Sequence, residues 1–69
     1  KEDPMSVARS TELTAMSTSG FDDALKQGIA RARETLRNVK NCWVKDQEVV
    51  IGDPDQYKVT MKVTFVLDD

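Results

Sequence analysis

Hydrophobic and polar residues alternate most regularly between Tyr57 and Leu67. Tyr57, Val59, Met61, Val63, Phe65 and Leu67 take every second position, and Lys58, Thr60, Lys62, Thr64 and Val66 fill the gaps. Successive side chains of a strand point to opposite sides, so this spacing predicts one fully apolar face and one face of mostly charges and hydroxyls. β-Branched and aromatic residues dominate the run, and neither Gly nor Pro interrupts it. A weaker alternation over Ser6–Ala15, with Val7, Leu13 and Ala15 on one parity, predicts an edge strand. Its charges, Arg9 and Glu12, suit an edge that must not pair with strangers.

Between these runs the period changes to that of a helix. Phe21, Leu25, Gly28/Ile29, Ala32, Leu36 and Val39 recur at steps of three and four and predict a helix over Phe21–Val39. Ser19 and Asp22 have capping-box spacing, with Asp for the usual Glu, and Asp22 and Asp23 fall where the helix dipole favours negative charge. Gly28 lies inside the buried stripe, which implies either a close approach to the helix or a neutral accident. Asn38 to Asn41 closes the helix, because Asn tolerates the left-handed cap conformation.

Cys42–Ile51 predicts a further strand. Cys42 and Val44 share one parity while Val49 and Ile51 are apolar on the other, so a β-bulge is expected near Asp46–Gln47. Gly52-Asp53-Pro54-Asp55 reads as a turn, with Asp53 in the first position and Pro54 in the second position of a type I turn. The order is strand, helix, strand, strand. A right-handed crossover leaves a gap between the first two strands, which the most apolar strand fills antiparallel to both. The expected fold is α+β: a βαββ chain with a three-stranded antiparallel sheet and one helix on its apolar face. Trp43, Lys58, Thr60, Lys62 and Thr64 lie on the other face, which no segment is left to cover.

Composition sharpens this picture. With 69 residues the chain is one domain near the lower limit of independent stability. The expected division is a disordered or appended leader at 1–5 and the folded domain at 6–69. A single cysteine and no histidine rule out an internal disulfide and leave a zinc site almost no ligands. Self-association is the remaining source of stability. A net charge of −2 with both signs interspersed argues against a nucleic-acid binder. No apolar run has the length of a membrane span and none reads as a signal peptide, so no membrane role is expected. The unpartnered Cys42 fits a reducing compartment, and cytoplasm is the expected location.

The ordered elements Phe21, Ala24, Ile29, Arg31, Ala32, Thr35, Leu36 and Asn38, then Val44, Asp46, Gln47, Val49, Ile51 and Gly52, then Tyr57 and Val59 to Asp68, resemble the dodecins. The likeness runs from about Val7 onward. It implies small βαββ subunits assembled as a hollow cubic dodecamer, a homo-oligomer that would cover the bare sheet face. It also implies a flavin store rather than an enzyme, with riboflavin or FMN stacked in pairs between tryptophans at subunit two-fold axes. Two positions depart from the family pattern. Asn41 stands where the stacking Trp is expected, with Trp43 two residues later, and Lys58 stands where a Gln hydrogen-bonds the flavin ring edge.

Two residues along a strand keep a side chain on the same face and move it by about 6.5 Å. Trp43 therefore still projects from the uncovered face, either as a stacking surface or as an interface anchor. Lys58 shares that face, either as a donor to a ligand or as a solvated or paired lysine. Asn41, Trp43 and Lys58 are the candidate cofactor-binding residues, and no catalytic or metal-ligating set is present. Cys42 has no histidine to activate it, and its parity suggests a buried small hydrophobe. The expected function is a non-enzymatic oligomer holding a small aromatic ligand, flavin by resemblance. The alternative is a structural assembly that binds no flavin or takes another molecule.

Overall fold

The computed structural model describes residues 7–67. Four elements follow one another: β1 (Ala8–Ser17), α1 (Phe21–Thr35), β2 (Val39–Val50) and β3 (Gln56–Val66). The sheet order is β1-β3-β2, with β3 antiparallel to both neighbours. The most apolar strand thus takes the centre, as its alternation predicts. The expected leader at 1–5 lies outside the described residues.

Val59, Met61 and Val63 on β3 meet Ala24 and Ala32 on α1 to form the buried core, with Leu13, Phe21, Leu25, Ile29, Cys42 and Val44 packed around it. The centre of the helix contact is Ala24, Gly28 and Ala32, one turn apart. Phe21, Leu25 and Ile29 of the expected stripe flank that line and are only part-buried. Small residues win the centre because Met61 needs the room. A Cβ at Gly28 would lie 2.4 Å from Met61 Cε and 2.8 Å from its Sδ, so the close approach is real. Phe21 closes one end edge-on against Tyr57, with ring centroids 5.2 Å apart.

The helix is shorter than its pattern. It stops at Thr35, and Leu36 is already extended, at φ −121° and ψ 148°. Asn38 takes the left-handed conformation, φ 60°, three residues past the last helical residue. Its carbonyl accepts Val66 N–H at 3.1 Å and its amide donates to Val66 O at 3.3 Å. Those bonds tie Asn38 to the end of β3, so Val39 opens β2 opposite Phe65 instead of closing a fifth helical turn.

The expected capping box does not form. Gly20 is the N-cap, at φ 146°, a conformation open to glycine, and no side chain caps the helix. Starting one residue later moves Asp22 off the third helical position, which Asp23 takes. Ser17 Oγ donates to Asp23 Oδ2 at 2.6 Å and accepts Ser19 N–H at 2.9 Å, so the turn is knitted from the end of β1. β1 itself runs two residues later than its weak alternation suggests, and exposed Val7 precedes it.

Two irregularities interrupt β2. One lies between Val44 and Asp46, at Lys45, one residue before the expected bulge; the other, between Val39 and Asn41, has no hydrophobic signature. After Lys45 the odd positions take over the helix-side face, since Gln47 opposes Val59 and Val49 opposes Tyr57. In the hairpin loop Asp55, not Asp53, supplies the closing side chain, its Oδ1 accepting Gly52 N–H at 2.9 Å, and the Asp53–Pro54 peptide is cis.

Candidate functional site

No element of the described chain covers the second face of the sheet. Across it run three rows: Ser10, Glu12, Thr14 and Met16 from β1; Lys58, Thr60, Lys62 and Thr64 from β3; Asn41, Trp43, Asp46 and Glu48 from β2. The β1 and β3 hydroxyls meet in two pairs, Ser10 with Thr64 at 3.1 Å and Thr14 with Thr60 at 3.4 Å. Trp43 is the largest apolar side chain on this mostly polar face and is 60% exposed, with Met16 also exposed on it. Cys42 and Val44 on either side point into the helix contact, so alternation alone turns the indole outward.

Lys62 is directly opposite Trp43, and its Nζ lies 5.9 Å from the indole centroid, within cation–π reach. One rung away Asn41 faces Thr64. The open face thus brings Asn41 and Trp43 together. Lys58 is elsewhere: four residues along β3 from Lys62, about 13 Å at strand rise, with Nζ 3.2 Å from Glu48 Oε1. Lys58 therefore reaches a ligand on Trp43 only if that ligand is long or another subunit brings the two together.

Lys45, freed from the ladder by its bulge, reaches over β3 to Glu12 at 2.6 Å. The Lys45 hydrogen bond, then its charge, with a further contribution from Lys62, holds the Glu12 carboxyl below its ordinary value. Asp23 is lowered too, by its bond from Ser17 and then by that from Gln27 Nε2 at 2.6 Å. Burial raises the Cys42 thiol, which works against a thiolate nucleophile. Among the described residues no three His, Cys, Asp or Glu side chains cluster to hold a metal. No described helix is long and apolar enough to cross a membrane.

Alternation puts Lys62 on this face but not beside the indole, and it gives neither the reach of Lys45 to Glu12 nor the pairing of Glu48 with Lys58. Placing the bulge at Lys45 aligns Trp43 with Lys62 by counting along the hairpin, but period-two spacing resolves a bulge only to within a residue.

Residues 7–68 match the family model described as Dodecin. The curated dodecin of Thermus thermophilus is 34% identical over 65 residues, 91% of this chain and 94% of that protein. A crystal structure from the same organism, of the protein tt0972, superposes with a TM-score of 0.87 at 33% identity, covering 93% of this chain and 97% of that one. The dodecin of Streptomyces davaonensis gives a TM-score of 0.88 at 34% identity, with 94% and 98% covered.

Proposed function

We propose, from the premise that this chain belongs to the dodecin family, that it is a non-enzymatic homo-oligomer, a hollow dodecamer, which binds and stores a small aromatic ligand on its open sheet face. The observation that carries this is Trp43, the largest exposed apolar side chain, 60% exposed, on a mostly polar face that the subunit leaves bare. Burying that ring against a flat partner removes apolar area from water and adds a stacking contact. Flavin, as riboflavin or FMN, is the ligand the family favours, and the cytoplasm is where an unpaired Cys42 and a soluble cofactor meet. Asn41 occupies the family's stacking position and lines the site as a hydrogen-bonding neighbour of Trp43. Lys58 contributes from a neighbouring copy, after releasing Glu48.

Riboflavin fluorescence tests this reading. Added at micromolar concentration to the assembled protein, riboflavin is quenched, and Trp43→Ala abolishes quenching while light scattering still gives about twelve subunits. A wild-type protein that leaves riboflavin fluorescence unchanged defeats the flavin assignment; a monomer by light scattering defeats the shell.

The Lys58–Glu48 pair supports a second reading, a dodecin-fold assembly that binds no flavin. The ring-edge donor is already engaged there, and a ligand must break an ion pair to use it. An assembled protein without quenching favours this alternative.

A further inference from the structure

We infer that the Trp43 platform selects planar aromatic anions, with the negative charge at the ring edge nearest Lys62, over neutral rings of the same shape. This rests on the proposal that Trp43 is a ligand-stacking residue, and adds which chemical class it takes. Among the described residues Lys45, Lys58 and Lys62 reach onto the open face. Lys45 is bonded to Glu12 at 2.6 Å and Lys58 to Glu48 at 3.2 Å. Lys62 faces Glu12 on β1 and helps hold that carboxyl low, but the ion pair there is made by Lys45. Among the described residues no carboxylate lies within ion-pair distance of Lys62, and its ammonium rests near the indole. At 5.9 Å from the centroid it is near the limit of that attraction, about 6 Å, and is lightly held.

A neutral ring stacking on Trp43 offers this ammonium only a π face or a neutral carbonyl acceptor. A ring bearing a carboxylate gives the same ammonium a partner, in a contact that stacking has partly dried. The surrounding charges set the direction. Asp46, one rung from Trp43 on the hairpin-loop side, opposes Thr60 and repels an anion pointed that way. On the other side Asn41 opposes Thr64, which meets Ser10, and that rung offers an amide and hydroxyls as donors. The anionic end of the ligand therefore points toward Asn41 and Thr64.

The test is equilibrium dialysis of the assembled protein against naphthalene-2-carboxylate and its neutral isostere naphthalene-2-carboxamide, with riboflavin quenching run in parallel. The carboxylate is expected to bind about fivefold more tightly at low salt, in keeping with a partly exposed charge pair. That preference shrinks toward unity at about 0.5 M salt, where the screening length falls below about 5 Å. Lys62→Gln removes it without weakening the carboxamide, and Lys62→Arg keeps it. The salt dependence is read on the wild-type protein and needs no variant to fold. Equal binding of the two probes overturns the inference and leaves the stacking role of Trp43 standing. So does riboflavin quenching without uptake of either naphthalene. If neither naphthalene nor riboflavin binds, the ligand role of Trp43 falls and the selectivity with it.

Discussion

On the inward side of β3, Val59, Met61 and Val63 are at most 1% exposed, whereas Lys58, Thr60, Lys62 and Thr64, interleaved with them, stay part-exposed under no other element. One strand therefore serves two purposes, separated only by side-chain parity. The inward residues are fixed by shape, since α1 reaches them only because its contact line is Ala24, Gly28 and Ala32. The outward residues are fixed by polar pairs whose individual worth is small, as is usual for exposed ion pairs and hydroxyls. Stability thus concentrates on one face, and the residues of the other can vary without much cost to the subunit. The lesson is one of division: a very small chain keeps its polar, outward residues off its core by alternation alone.

The strongest way to break that division is to hollow the inward face. Met61→Ala is expected to lower unfolding free energy by about 2–5 kcal/mol, the range for truncating a buried Met. Urea melts at fixed protein concentration check this, because association adds to apparent stability. A loss below about 1 kcal/mol means that the helix–sheet contact is not what holds the subunit.

Gly28→Ala probes the same contact with a smaller effect. Ala gains about 1 kcal/mol of helix propensity, but its methyl overlaps the end of Met61 and presses to 3.3 Å from Leu13 Cδ1. Overpacking a filled core costs about 1–3 kcal/mol, so the net result is a loss of about 1 kcal/mol. Combining it with Met61→Val, which withdraws the Sδ and Cε atoms, should cost less than the sum of the single changes. Additive losses would show that Met61 is not what keeps position 28 empty.

The difference between the faces also decides what the sequence disclosed. Tyr57–Leu67 could be read almost to the residue, because an unbroken period of two leaves one register that buries Val59, Met61 and Val63. The strand order and the bare second face followed from it. The helix was legible as an element, but not where it ends: nothing in Leu36 to Val39 announces that Asn38 is bound to Val66. The missing capping box has a similar cause, since Ser19 spacing carries no information about the glycine that shifts the start by one. At the site, Trp43 and Lys58 were visible as outward residues, yet the bulge at Lys45 set which lysine lies beside the indole. Long-range partners such as Lys45 with Glu12, 33 residues apart, leave no local pattern at all.

That last pair gives the mildest perturbation and tests the outward face directly. The folded Glu12 carboxyl is held below its usual value of 4.5, mainly by its bond from Lys45. A lowered folded value means the pair stabilises the protein fully above pH 4.5 and loses that contribution as the pH falls through the lower folded value. Glu12→Gln should therefore be slightly less stable than wild type at neutral pH, and the two urea midpoints should converge as the solution is acidified. Asp23 is lowered as well but is present in both proteins, so it drops out of the difference. Added salt should narrow the gap at neutral pH as well, since the pair is exposed. A gap that survives both acid and salt would place the effect in packing instead of charge, and the outward face would then be built like the inward one.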